Sequence, residues 1–312
     1  MTATTGIVRG LIRDIEAEAE AWIAAHVGLT RGLELVHERP WGTVWRVPID
    51  DGVAWFKACP PGEAFEPRLT ASLARRWPDR LPDVLGYDDE RAWLLLGDAG
   101  QPLGVGGRPE PWLAVVPRYA ELQRGEAARA DEHRDGGVPD RPIADFPALY
   151  EAMLARDLPL RRSDLTRLRD FAPRFAELCD ELAGGGIPET IQHDDLHGAN
   201  VYRRDGTPRI LDWGDSCVSH PFVTVYVTFL HLDALSRGDR PRARLRDAYL
   251  EPWGRPTELR ATFELALRVG PFAHAFKELR VLDAIPDVDR PQFAPDLPAV
   301  LAGCVAATDE DS

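Results

Sequence analysis

The chain has 312 residues, 44% of them hydrophobic and nine of them tryptophan, which is apolar material enough for two sizeable cores and too much for a disordered protein. Its 37 basic and 51 acidic residues leave a formal charge of −14. That balance excludes a general nucleic-acid surface, which needs basic patches, and suits either solubility alone or long-range attraction of a cationic small molecule. No apolar run reaches the roughly 18 residues of a membrane helix, and the N-terminus lacks a basic-then-apolar leader. Cys59, Cys179, Cys217 and Cys304 have no paired spacing, so zinc and a disulfide framework are unsupported and reduced cytosolic thiols are expected.

Ile7, Leu11, Ile15, Ala19, Trp22 and Ile23 recur near helical spacing, with Glu16, Glu18 and Glu20 facing away, which predicts an amphipathic first helix. Leu33–Glu38, Thr43–Ile49 and Val53–Cys59 read as strands, with Asp50-Asp51-Gly52 as the hairpin turn between the second and third. Lys57 stands in mostly apolar surroundings in the third; burying it alone is costly, so it is expected at an edge or paired. After Pro60-Pro61-Gly62, the residues Phe65, Leu69, Leu73 and Trp77 mark a helix. Glu66 borders its inward stripe and is the expected partner of Lys57 ahead of Glu63. Pro67, however, suits a first helical turn and would make Glu66 a cap. The segment Glu38–Val44 has one glycine, Gly42; it reads as a plain β-turn or as a loop whose N–H groups and Thr43 hydroxyl contact phosphates.

Ala92–Leu96 is a further apolar strand, broken by Gly97-Asp98-Ala99-Gly100, and the Gly- and Pro-rich stretch from 100 to 109 reads as a linker. Two domains follow, 1–99 and 100–312. The second is mainly helical, with one helix from about Trp112 to Glu132, a break over 134–142, and helices at Phe146–Arg156 and Asp164–Leu182. Ser163 or Asp164 would cap the last of these, and Gly184-Gly185-Gly186 would end it. Val223–Leu232 is apolar and could be strand or helix. His274 and Glu278 share a helix face at i, i+4 and are best explained as polar residues on a surface helix.

The chemistry concentrates at Ile191–Asn200, which reads I-Q-H-D-D-L-H-G-A-N, and at the L-D-W-G-D run from Leu211 to Asp215. Val201–Arg204 and Arg209–Leu211 suit two short strands around the turn Asp205-Gly206-Thr207-Pro208. Such a hairpin returns Asp212 to the end where Asn200 leaves. An amide oxygen and a carboxylate are the hard donors magnesium takes while keeping waters and phosphate oxygens. Asp195, on the loop before the first strand, could orient a hydroxyl or take its proton.

These motifs resemble the catalytic loop and metal-binding segment of the aminoglycoside phosphotransferase family, the small-molecule branch of the protein-kinase-like fold. The resemblance implies an α+β bilobal fold, an N-terminal antiparallel β-sheet lobe followed by a mainly helical C-terminal lobe. It implies that Asp195 is the catalytic aspartate, that His193 holds the catalytic loop, and that Asn200 and Asp212 bind Mg2+. Lys57, paired with Glu66, would steady the phosphates of ATP or another NTP, and Leu96, Gly97 and Ala99 would form the adenine-binding hinge. Asp194 stands where relatives often carry glycine. Neither G-x-G-x-x-G, a P-loop motif nor a protein-kinase activation segment is present, so the acceptor is expected to be the hydroxyl of a small molecule, a cationic one among the candidates. A cytoplasmic monomer or homodimer, with no nucleic-acid or membrane partner, is the matching expectation. An antibiotic is the leading acceptor class and a metabolite such as choline, homoserine or a sugar the second. A nucleotide-binding protein without catalysis is the remaining alternative.

Overall fold

In the computed structural model residues 16–311 are described, apart from 29–31, 51, 105–108, 236–238, 255, 286, 288–289 and 291–295. Ile7, Leu11 and Ile15 of the predicted first helix, and Asp51 of the predicted turn, therefore lie outside the described residues. The chain divides into two compact units, Met1–Gly100 and Gln101–Ser312.

The first unit is built on a period-two pattern. Helix α1 (residues 16–27) packs on strands β2 (Gly42–Ile49) and β3 (Gly52–Ala58), while the exposed strand β1 (Glu34–Arg39) pairs with β2 at the sheet edge. Strands β4 (Val84–Asp88) and β5 (Trp93–Gly97) complete an antiparallel sheet of order β1-β2-β3-β5-β4. Trp45 and Val47 of β2, Ala54 and Phe56 of β3, and Trp93 and Leu95 of β5 enclose Ala19 and Ile23 of α1 in one core. Alternation of side chains along a strand sends Lys57, next to Phe56, to the opposite face. Glu16 does not face away as its spacing predicts: its carboxylate accepts the Trp45 indole N–H at 3.1 Å, because a buried indole donor needs an acceptor. Strand β4 went unpredicted. It is only five residues long, is interrupted by Gly86 and leaves its apolar Leu85 and Tyr87 exposed, so it shows no buried alternation, and it is made a strand by pairing with β5.

The second unit sets short strands among helices. Strand β6 (Gln101–Pro102) joins β8 (Val201–Arg204) and β9 (Thr207–Ile210) in a three-stranded sheet, so the start of the predicted linker is paired backbone. Strand β7 (Thr190–Gln192) pairs antiparallel with β10 (Cys217–Ser219). The helix predicted from Trp112 to Glu132 is in fact broken: a 3-10 turn at Glu110–Ala114, α3 (Val116–Glu126), another at Ala127–Arg129, and α4 (Ala130–Asp135). Pro117 fits the first turn of α3. Helix α5 spans Phe146–Leu154 and α6 Arg162–Gly184. The N-cap of α6 is Arg161, not Ser163 or Asp164; Asp164 instead accepts from the Arg161 guanidinium at 2.8 Å. The apolar run after His220 is helical, as α7 (Pro221–Thr224) and α8 (Tyr226–Leu235). Helix α9 (Asp239–Leu250) precedes the 28-residue α10 (Pro256–Asp283).

Apolar residues surround α10 on most sides, as expected of a helix buried within a bundle. Phe272 packs against Tyr150, Phe171 and Phe175, and Phe263 against Phe222, Phe229 and Tyr249. Gly270 permits the approach of α8, since a Cβ there would lie 2.3 Å from that of Tyr226. The prediction of a surface helix at His274 and Glu278 is thus corrected. Among the described residues no helix is long and apolar enough to cross a membrane, and all four cysteines are free thiols.

Candidate active site

In the first unit Lys57 is a paired lysine. Lys57 Nζ lies 2.6 Å from Glu66 Oε2 and 3.8 Å from Glu63 Oε2, with Glu66 only 1% exposed. Glu66 is the first residue of α2 (Glu66–Arg76), Phe65 takes the cap position, and Pro67 sits in the first turn without displacing the glutamate. Cys59 Sγ donates to the same carboxylate at 3.3 Å. Burial first, then the Glu66 charge, raises the thiol pKa well above its usual value. Gly42 explains itself here. Its φ is +146°, and a Cβ would stand 2.8 Å from Lys57 Cε, so only glycine lets the lysine stem pass across β2. Only Pro40 and Trp41 form the loop between β1 and β2. Thr43 is a strand residue paired with Glu38 and Ala58, which leaves its hydroxyl, not a mobile loop amide, for any ligand. At the predicted hinge Leu96 pairs with Trp55 and Val84, and the Gly97 N–H is committed to Asp83 O at 2.8 Å. Gly97 can therefore offer a ligand only its carbonyl.

In the second unit, strands β7 and β8 hold the ends of the segment His193–Asn200. His193 is fully buried; its backbone N–H donates to the Tyr119 hydroxyl of α3 at 2.9 Å, and Nε2 lies 2.7 Å from Leu211 O. Nδ1 accepts the Asp195 N–H at 3.4 Å. Burial lowers the His193 pKa, and the bonding matches a neutral ring with its proton on Nε2. The imidazole thereby ties the Asp195 turn to the segment preceding Asp212. Because the buried His193 amide has one side-chain acceptor, Tyr119→Phe should destabilise the protein by about 1–3 kcal/mol, the cost of an unsatisfied buried donor. Denaturant unfolding measures this, and a change under about 0.5 kcal/mol would mean the amide has found another partner.

Two aspartates of the site adopt left-handed backbone, Asp194 at φ +61° and Asp212 at φ +63°, a region Asp and Asn tolerate better than other side chains. This is a physical reason for glycine to be acceptable at position 194. The aspartate adds an ion pair: its buried carboxylate meets the Arg141 guanidinium. Arg141 is delivered by a loop whose Arg141 N–H donates to Val218 O of β10 at 2.8 Å. No sequence pattern pointed to this arginine.

Asp195 is enclosed by donors. Lys277 Nζ is 3.2 Å from Oδ1, while His197 Nε2 and Asn200 Nδ2 are each 3.3 Å from Oδ2. Burial alone would raise its pKa, but Lys277 and His197 outweigh burial and hold the carboxyl below the usual range. Asn200 Nδ2 also donates to Asp195 O at 3.0 Å, so its Oδ1 is the atom suited to a cation. Leu211 N–H donates to Asn200 O at 2.9 Å and Val201 pairs with Ile210, which brings the segments carrying Asn200 and Asp212 side by side. Among the described residues no group of three or more His, Cys, Asp or Glu is arranged to hold a metal ion. An amide oxygen with one carboxylate does fit magnesium, which binds few protein ligands and completes its shell with phosphate oxygens and water.

Asp215 is ion-paired, Oδ1 to Arg280 at 3.0 Å and Oδ2 to Lys277 at 3.7 Å. Below the loop, Gln192 Oε1 accepts from Gln123 at 2.5 Å and Thr224 at 2.6 Å, and Gln123 Oε1 accepts from Tyr249 at 2.8 Å. This buried network fixes β7 against α3, α7 and α9. Sequence reasoning missed Lys277 and Arg141. A lone lysine in the apolar F-A-H-A-F-K-E-L stretch was a usable signal, by the reasoning applied to Lys57.

The sequence profile described as "Phosphotransferase enzyme family" matches residues 82–262, more than half of the chain. The chain belongs to this family and is a small-molecule phosphotransferase with an alcohol group as acceptor. No curated protein matches the sequence. Among solved structures, macrolide 2'-phosphotransferase MphH from Brachybacterium faecium superposes with a TM-score of 0.57 at 18% identity, covering 93% of this chain and 98% of that one. Choline kinase LicA from Streptococcus pneumoniae gives 0.65 at 11% identity, covering 94% and 99%. The GDP and kanamycin complex of APH(2")-IIia gives 0.61 at 15% identity, covering 96% and 99%. At these identities the likeness establishes the fold, a mixed α+β kinase-like architecture.

Proposed function

We propose that the protein transfers the γ-phosphoryl group of ATP, or of another nucleoside triphosphate, to a hydroxyl of a small-molecule antibiotic. The observation that carries this reading is the donor cage around Asp195, which fixes one ionised carboxylate beside Asn200 and the segment leading to Asp212. In the proposed reaction the acceptor hydroxyl oxygen forms a bond to the γ-phosphorus. The bond from that phosphorus to the β–γ bridging oxygen breaks, and the nucleoside diphosphate leaves. Asp195 orients the hydroxyl and finally receives its proton. Asn200 Oδ1 and the Asp212 carboxylate would hold Mg2+, which when bound neutralises phosphate charge. Lys57, kept in place by Glu66, steadies the nucleotide phosphates with the Thr43 hydroxyl. The Gly97 carbonyl and the Ala99 backbone, with Leu96 beside them, receive the base. His193 holds the loop without taking part in proton transfer, since its two nitrogens are spent on Leu211 and Asp195.

A metabolite acceptor is the second reading, favoured by the fold likeness to a choline kinase. We place the enzyme in the cytoplasm, where free thiols persist and nucleoside triphosphates are supplied, acting as a monomer or homodimer without nucleic-acid or membrane partners. The test is incubation of purified protein with ATP and Mg2+ against aminoglycosides, macrolides, nucleoside antibiotics, amino alcohols and sugars, read by mass spectrometry as gain of one phosphoryl group. Transfer to an antibiotic, with resistance conferred on a sensitive host, is the expected result. Transfer only to a metabolite, without resistance, selects the second reading. Nucleotide binding with no transfer to any of these hydroxyls would overturn the antibiotic and metabolite readings alike.

A further inference from the structure

We propose that Lys277 is a positioning residue for Asp195: an internal ammonium on α10 that pins one carboxylate oxygen and, with the loop donors on the other, fixes the aim of the carboxylate at the acceptor hydroxyl. This rests on the reading of Asp195 as the catalytic carboxylate and adds a residue to it.

Lys277 is 4% exposed and sits on a stretch of α10 where Ala273, Ala275, Phe276 and Leu279 are all buried. A long cationic side chain gains nothing from such a place unless its charge is matched there. Its Nζ is matched by Glu278 Oε1 at 2.8 Å, Asp195 Oδ1 at 3.2 Å and Asp215 Oδ2 at 3.7 Å. An ammonium has three protons to donate, and three carboxylates face it. Each neighbour is anchored in turn. Glu278 also lies 3.5 Å from His274 Nε2, one turn back on the same helix, and Asp215 is held by Arg280 at 3.0 Å. The ammonium is therefore fixed by groups on its own helix and by Asp215 on the segment before β10.

The consequence for Asp195 is orientational. A carboxylate on a loop turns readily about its last side-chain bond, a broad, twofold torsion. With Oδ1 held by Lys277 from α10, and Oδ2 by Asn200 and His197 from its own loop, that rotation is stopped from both sides. The loop donors alone leave Oδ1 without a fixed partner. A reacting hydroxyl needs its acceptor oxygen within hydrogen-bond reach and correctly aligned, and misplacement by about 1 Å can cost 10²-fold in rate. Lys277 thus acts through Asp195, without needing to touch nucleotide or acceptor.

The experiment is a double-mutant cycle of K277M and D195N in the full-length enzyme, with K277R as the conservative variant. It is read as kcat and as KM for nucleotide and acceptor, on an acceptor found by the screen above. We expect K277M to lower kcat about 10- to 100-fold while KM for nucleotide stays within about 2-fold, with K277R recovering much of the loss. In the D195N background, K277M should change kcat by less than about 3-fold, because its partner is already gone. A folded K277M with kcat within about 3-fold of wild type, a failure of K277R to recover any turnover, or full additivity with D195N would each overturn the proposal. If K277M does not fold, K277A assayed with added ethylammonium carries the test: a saturable rise in kcat supports it and no rise overturns it. The two readings fail separately. D195N with wild-type turnover removes the role of Asp195, whereas an inactive D195N beside a normal K277M removes only that of Lys277.

Discussion

Asp195→Asn should lower kcat by about 10²–10⁴-fold, the range lost with a positioned acid–base group, while nucleotide affinity is expected to stay close to wild type. Two physical effects combine. The amide cannot accept the proton released as the oxygen–phosphorus bond forms. Its NH2 group must also face either Lys277 Nζ or the His197 Nε2 and Asn200 Nδ2 donors, so one side of the cage sets donor against donor. Steady-state kinetics with nucleotide binding measured separately checks this. Turnover within about 10-fold of wild type would remove Asp195 from the chemistry.

Asp212→Asn is expected to abolish measurable turnover and to weaken binding of the magnesium–nucleotide complex by more than about 10-fold, since loss even of outer-shell partners of a metal costs 10–100-fold. Asparagine is the informative replacement because the residue sits at φ +63°. Asn tolerates left-handed backbone where alanine would add about 1–2 kcal/mol of strain, so the loss reports on the missing charge and not on a distorted chain. Binding titrations with and without Mg2+ separate the effects. The variant should bind nucleotide alone as wild type does and lose only the metal-dependent increment. Equal affinity for magnesium–nucleotide in both proteins would show that Asp212 is no ligand.

What the sequence displayed and what it concealed follow physical lines. Alternation in β2 and β3 and a lysine stranded among apolar residues made the first sheet and the Lys57–Glu66 pair legible, because both are short-range consequences of strand and helix periodicity. The loop from His193 to Asn200 and the hairpin after it were legible because turn chemistry and residue spacing sit together in about 25 residues. Strand β4 was not, since its residues become a strand only by pairing with β5. Arg141 and Lys277 were not, since they reach the loop from 53 and 82 residues away in sequence. Contacts at such separation leave no periodic trace. Only the cost of burying an unpaired charge marks them, and for Lys277 that reasoning was available. The left-handed turn at Asp194 was equally silent, as an aspartate in sequence does not announce its φ.

The caging of Asp195 by Lys277, His197 and Asn200 also separates two responses to ionic strength. Mobile ions screen exposed charges beyond about 8–10 Å at 0.1–0.15 M salt and act far less on buried pairs. The Lys277–Asp195 contact has one partner almost fully buried, whereas the formal charge of −14 belongs to the whole chain. Added salt should therefore weaken the capture of a cationic acceptor and leave the committed step alone. Plotted against salt, KM and kcat would part company, the first reporting the protein's outer field and the second its insulated interior.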